Sequence, residues 1–120
     1  QLKKQARDAG VILTGFIKGE RLNQVMSNAA LFALPSYHEG LPIALLEAMS
    51  YNLDVVVSNI PSTNLSCLEK SDFYKVGDSD ELASLIERKL ENLATPRQYN
   101  LPDYDWDKIA PQTVEVYKLM

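Results

Sequence analysis

Leu31–Phe32–Ala33–Leu34, then Pro35–Ser36–Tyr37–His38–Glu39–Gly40–Leu41–Pro42, then Ile43–Ala44–Leu45–Leu46–Glu47–Ala48–Met49–Ser50 follow one another without a break. The first four residues are apolar throughout, as in a strand covered on both faces, and Pro35 stops them. Residues 41–50 read as a helix with Pro42 in its first turn, where the missing N–H costs nothing. A buried strand, a loop and a helix in that order make part of a βαβ unit, so a parallel sheet is expected.

The alternation continues on both sides. Val11–Ile12–Leu13–Thr14 reads as another buried strand, ended by Gly15, Val55–Val56–Val57 as a third, and Phe73–Tyr74–Lys75–Val76 as a weaker fourth. Leu22, Val25 and Met26 have helical spacing within Glu20–Asn28. Leu82, Leu85, Ile86, Leu90 and Leu93 form one side of a helix from about Ser79 to about Leu93. Asp78 with Glu81 resembles a capping box at its start. Gln1–Ala9 is helix-like, Ala94–Asp105 reads as a linker with two prolines, and Trp106–Met120 reads as a last helix with Ile109, Val114, Val116 and Tyr117 available for packing. The expected fold is α/β: a Rossmann-like parallel sheet of about four strands with helices on both faces. Four strands are few for an open doubly wound sheet. Residues 1–120 are therefore read as one domain, incomplete at its N-terminal side.

Composition narrows the function. Of 120 residues, 46% are hydrophobic and 23% charged, ordinary for a globular domain. Twelve basic against sixteen acidic residues give a charge of −4, which argues against nucleic acid as a partner. Cys67 is the single cysteine, so no internal disulfide can form, which suits a reducing compartment. His38 is the single histidine, and any histidine metal cluster or Ser-His-Asp triad would have to be built on it. No apolar run approaches the roughly 18–20 residues of a membrane span. Lys3, Lys4 and Arg7 precede no cleavable apolar region, so no signal peptide is expected.

The chemistry is expected in the loop after Leu34, because ligands of open parallel sheets bind beyond the carboxyl ends of the strands. Gly40 lets a ligand approach the backbone. Free N–H groups near Leu41 and Ile43–Ala44, with the helix dipole, suit a phosphate. A carboxylate beside a phosphate is electrostatically poor, so Glu39 is better matched to sugar hydroxyls. Glu47 can accept from a vicinal diol such as a ribose. Eight residues along loop and helix place the two acids roughly 10 Å apart. The carboxyl pair of a retaining glycosidase is about 5–5.5 Å apart, so the pair suits two grips on a long ligand and not a hydrolytic dyad.

Pro35–Ser36–x–x–Glu39–Gly40–Leu41–Pro42–Ile43–x–x–Leu46–Glu47–Ala48–Met49 resembles the signature of retaining glycosyltransferase family 4 (glycosyl transferases group 1), whose hallmark is two glutamates separated by seven residues. Val11–Ile17, Val55–Ser58, Gly77–Asp78 and Tyr104–Asp105–Trp106 also lie where the family has such residues. The resemblance implies the donor-binding, C-terminal lobe of a GT-B enzyme. Glu39 would be catalytic, orienting the donor sugar. Ser36, His38, Gly40, Leu41, Pro42 and Ile43 would hold sugar and diphosphate, Glu47 the ribose, and Gly15, Phe16 and Ile17 the nucleobase. The donor would be a UDP- or GDP-sugar, with no cofactor and no metal. The product would be a polysaccharide or lipid-linked glycan made with retention, on the cytoplasmic side, at the membrane's inner face through the other lobe. The acceptor-binding lobe and the basic pair that neutralises the diphosphate would lie outside this chain, leaving it inactive alone.

The sequence departs from the family at Asn52–Leu53–Asp54, where a Gly-x-Pro turn is usual, and at Ile60–Leu65, which replaces a glycine pair followed by a glutamate. Asn52 can adopt the left-handed conformation that glycine would supply. Plainer readings are kept beside the sharper ones. His38 can be an exposed loop residue and Glu47 a solvated helix acid. Cys67 can be a semi-buried small residue, and Trp106 a packing anchor instead of a sugar-stacking platform. Competing functions are a non-catalytic nucleotide-binding α/β module and a GT-B epimerase or phosphorylase. A receiver domain would need an acidic set and a later lysine that this chain does not supply.

Overall fold

Three valines in one strand decide the layers. In β2 (Asp54–Ser58), Val55 and Val57 pack with Leu45 and Met49 of helix α3 (Ile43–Ser50). Val56 faces the other way, against Tyr74 and Leu85, the latter from helix α4 (Ser79–Glu91). All seven residues are at most 4% exposed. Successive side chains of a strand point to opposite faces, so an unbroken apolar run requires a helix on each side. Both are present, as expected.

The computed structural model describes residues 1–93, 96–101 and 104–119. The remaining described elements are α1 (Leu2–Asp8), α2 (Glu20–Asn28), β1 (Leu31–Leu34), β3 (Phe73–Tyr74) and α5 (Trp106–Lys118), with 3₁₀ turns at Pro61–Thr63 and Lys70–Asp72. The sheet is parallel, in the order β1-β2-β3, with Leu31 opposite Asp54 and Val57 opposite Phe73. All three strands therefore end at the same edge, where the Pro35–Pro42 loop begins. α3 ends at Ser50 with Tyr51 as its cap, and Asn52 follows at φ 58°, the conformation expected of it.

Five expectations need correction. Val11–Thr14 is not a strand: Val11, Ile12 and Leu13 are 56%, 85% and 59% exposed. A strand exists through hydrogen bonds to a neighbour, and none pairs with this stretch among the described residues; the Val11 N–H instead turns back to the Ala6 carbonyl at 2.8 Å. The sheet thus has three strands among the described residues, and β1 is its half-covered edge. On α4 the apolar side is only partly used, because the sheet ends before it. Leu85 is buried, Leu82 and Ile86 are half-buried, and Leu90 and Leu93 are exposed. The capping box is one-armed: Asp78 accepts from the Glu81 N–H at 2.9 Å, but the Glu81 carboxylate reaches the Lys75 N–H at 2.8 Å. On α5, Val114, Val116, Tyr117 and Trp106 are exposed, and Ile109 is half-buried; Met120, the last residue expected in this helix, lies outside the described residues.

The supposed linker is a fifth correction. Parts of it (Ala94, Thr95, Pro102 and Asp103) lie outside the described residues. The described part is strapped to the domain. The Arg97 N–H donates to the Asn52 carbonyl at 3.2 Å, the Tyr99 hydroxyl to the Leu53 carbonyl at 2.6 Å, and Tyr99 and Leu101 pack on the core. Arg97 also lies 4.7 Å from the Tyr99 ring centre, over its face. Its guanidinium, with Lys89, bonds both Asp54 and Asp72. These four charges sit where β2 and β3 begin, at the opposite end of the sheet from the motif loop.

Candidate functional site

The exit from β1 is held by hydroxyls. Ser58, fully buried at the end of β2, donates to the carbonyl of Ser36 and lies 3.3 Å from that of Leu34. The Thr63 hydroxyl, also buried, bonds the carbonyls of Ser58 at 2.7 Å and Ile60 at 2.9 Å. The Ser36 hydroxyl donates to Glu39 Oε1 at 2.6 Å. The loop is thereby tied to the sheet at one end, and one carboxylate oxygen of Glu39 is fixed while the carboxylate stays partly exposed. Ser58 and Thr63 were not picked out as functional from sequence. A serine closing a run of valines was the available signal, since a strand end that only packed would favour another apolar residue.

Tyr37 braces the loop from the side. A Cβ placed on Gly77 would come within 3.3 Å of the Tyr37 hydroxyl, and Gly77 has φ +83°. Glycine is needed there twice over, for the backbone conformation and for the aromatic contact.

At the turn itself, the N–H groups of Gly40, Leu41 and Ala44 find no acceptor among the described residues. The Ile43 N–H was expected to be free but donates to the Leu41 carbonyl at 2.8 Å. Pro42, buried, caps α3 without a side-chain bond, and its carbonyl accepts from Leu45 and Leu46. A Cβ on Gly40 would meet nothing within 4 Å, so the space before it is open. Unanswered donors at the positive end of a helix dipole favour an anion.

Two hollows border this turn. One, of about 240 Å³, is lined by Tyr37, His38, Glu39, Ile60, Pro61 and Ser62. The other, of about 540 Å³, runs from Leu41 and Ile43 past Glu47 to Tyr104, Trp106 and Ile109. Glu39 lines the first hollow and Glu47 the second; both are half-buried, and among the described residues neither is in an ion pair. His38 is exposed beside Glu39. Ser36, His38, Gly40, Leu41, Pro42, Ile43 and the two glutamates are therefore gathered around one turn. Gly15, Phe16 and Ile17 are not: none lines either hollow, and Phe16 is 90% exposed. The position expected of Trp106 also changes. At 75% exposed it is no buried anchor.

A third hollow of about 540 Å³ lies between Asn59, Asn64, Lys70 and Lys75; neither motif glutamate lines it, and its carboxylate Glu81 is already bonded to the Lys75 backbone. Among the described residues no group of three His, Cys, Asp or Glu side chains could hold a metal ion. Cys67 is half-buried as expected, and burial pushes its thiol above the usual range. No described helix is long and apolar enough to cross a membrane.

Known proteins share this sequence pattern. The chain is 26% identical over 125 residues to the O-antigen chain mannosyltransferase B of Escherichia coli, a match covering 99% of this chain and 33% of that protein. It is 45% identical over 68 residues to the UDP-Gal:alpha-D-GlcNAc-diphosphoundecaprenol alpha-1,3-galactosyltransferase of Escherichia coli, covering 53% and 17%. It is 30% identical over 106 residues to the N,N'-diacetylbacillosaminyl-diphospho-undecaprenol alpha-1,3-N-acetylgalactosaminyltransferase of Campylobacter jejuni, covering 78% and 27%. The chain spans about a third or less of the length of these relatives. The model of the family described as glycosyl transferases group 1 matches residues 1–92, the part that contains the sheet, the motif loop and both glutamates. The chain belongs to the glycosyl transferases group 1 family.

Proposed function

We propose that residues 1–120 form the nucleotide-sugar-binding lobe of a retaining hexosyltransferase acting on a glycan or lipid-linked acceptor. One observation carries this reading: a turn whose backbone donors meet no acceptor among the described residues lies between two hollows, each with one carboxylate that meets no cation among those residues. A nucleoside diphosphate sugar has matching parts in a row, namely hydroxyls, an anionic diphosphate, and a ribose diol. Glu39, held by Ser36, would meet the sugar hydroxyls and His38 its rim. The N–H groups of Gly40, Leu41 and Ala44 would meet the diphosphate, and Glu47 the ribose.

The reaction would break the bond between the anomeric carbon and the diphosphate and form one to an acceptor oxygen on the same face. The departing diphosphate would take the acceptor's proton. This scheme needs a UDP- or GDP-sugar and no metal or further cofactor. Two relatives are named for undecaprenyl-diphosphate-linked acceptors, which supports a lipid-linked acceptor here; the reaction would take place at the cytoplasmic face of a membrane. Acceptor binding and the cations that offset the diphosphate belong to other parts of the longer protein.

The test is transfer by the complete gene product from UDP- and GDP-hexoses to lipid-linked acceptors, with the product's anomeric configuration read by NMR. Retention is expected, with loss of about 100-fold in rate or more in Glu39→Gln, the scale seen when one preorganised transition-state contact is removed. An inverted product contradicts the scheme. Transfer by the 120-residue chain alone contradicts the division of labour.

A further inference from the structure

Three side-chain hydrogen bonds run in series from a buried turn to Glu39. The 3₁₀ turn Pro61–Thr63 closes around the Thr63 side chain, which has no exposed surface. The Thr63 hydroxyl bonds the Ser58 carbonyl at 2.7 Å and the Ile60 carbonyl at 2.9 Å, and accepts from the Ile60 N–H at 3.3 Å. That fixes the end of β2. The Ser58 hydroxyl, equally buried, then donates to the Ser36 carbonyl, and the Ser36 hydroxyl to Glu39 Oε1 at 2.6 Å. Each hydroxyl has one proton to give. Ser36 gives its own to the carboxylate, so the direction of Glu39 depends on where the Ser36 backbone is held.

The same turn meets Glu39 by a second route. Ile60, Pro61 and Ser62 line the hollow of about 240 Å³ that Glu39 lines. Thr63 does not line it and is sealed beneath it. Thr63 also lies within Ile60–Leu65, where this chain departs from its family. A glutamate side chain turns about three bonds, and a misplacement of about 1 Å can cost about 100-fold in rate.

Resting on the donor-site reading above, we propose that Thr63 is a positioning residue for transfer: through Ser58 and Ser36 it sets where the Glu39 carboxylate meets the donor sugar. It does so without touching the donor. In that reading the diphosphate and ribose are gripped elsewhere, so loss of the relay falls on kcat and spares the donor KM.

The experiment uses the complete gene product and the transfer assay above. It measures kcat and donor KM for Thr63→Val, Thr63→Ser and Ser58→Ala, with urea midpoints in parallel. Thr63→Val keeps the shape and loses the hydroxyl; it should lower kcat about 10- to 100-fold and move KM less than about 3-fold. Thr63→Ser keeps the hydroxyl and loses a buried methyl; it should lower the urea midpoint and retain most of kcat. Ser58→Ala should lower kcat as Thr63→Val does, and carries the test if that variant does not fold. Added to Glu39→Gln, Thr63→Val should cost less than about 2-fold more, because the group it positions is already gone. An unchanged kcat in Thr63→Val, an equal loss in Thr63→Ser, or the full loss repeated on top of Glu39→Gln overturns the relay and leaves the donor site standing. A Glu39→Gln protein that keeps its rate overturns both.

Discussion

Asp54 and Asp72, where β2 and β3 begin, are each bonded to both Lys89 and Arg97, whereas Glu39 and Glu47, beyond the end of β1, meet no cation among the described residues. The sheet has one closed end and one open end. Asp72 has no exposed surface, its second oxygen accepts from the Glu69 N–H at 2.7 Å, and two cations face two anions. Such a set is neutral and satisfied, as buried charge must be. At the other end the polar groups are only half satisfied. Ser36 occupies one oxygen of Glu39 and leaves the rest of the site to something else. Buried acids answered from within serve the fold; half-buried acids that meet no cation beside a hollow are available to a ligand.

The largest stability effect should come from breaking the closed end. Asp72→Ala leaves Lys89 and Arg97 with half their partners in a covered site and should cost about 3–5 kcal/mol in urea unfolding, a large share of a small domain's stability. A loss under 1 kcal/mol would mean that the four charges are merely solvated neighbours. Gly77→Ala comes next, at about 1–2 kcal/mol, because a side chain at φ +83° is strained and its Cβ presses on Tyr37. It should also loosen the motif loop, measured as faster amide exchange at Tyr37–Leu41.

Acid should act on the closed end. Burial alone would raise the Asp54 carboxyl, but hydrogen bonds from Lys89 and Arg97 hold it below its usual 3.8. The folded chain then binds fewer protons at Asp54 than the unfolded chain does. Its contribution to stability is full above about pH 4 and is lost as pH falls through the lower, folded value. Urea midpoints against pH should therefore fall below about pH 4 in the natural sequence and fall less steeply in Asp54→Asn. The smallest stability effect is at the open end: Glu39→Gln should change unfolding by no more than about 0.5 kcal/mol, while transfer by the complete protein drops steeply.

The local part of this contrast was legible in the sequence. The Glu20–Asn28 helix, the valine strand and the left-handed Asn52 were read from spacing and residue type, and each is decided within a few neighbours. The gathering of Ser36, Glu39, Gly40 and Leu41 at one turn was legible for the same reason. What joins distant segments was not. Arg97 meets Asp54 and Asp72 across 43 and 25 residues, and no local pattern marks a partner that far away, so a strap read as a linker. Val11–Thr14 failed differently. Its composition favours a strand, but pairing depends on a neighbour that composition does not encode. Trp106 was misplaced because an aromatic at a helix start looks the same whether it faces a core or a hollow.

The most direct measurement is ¹H–¹⁵N NMR of the chain titrated with UDP and GDP. The expected result is saturable movement of the Gly40, Leu41, Ala44 and Glu47 amides, with those of Asp54, Asp72 and Lys89 unmoved. Movement confined to the closed end, or none at either end, contradicts a donor site at the open end of the sheet.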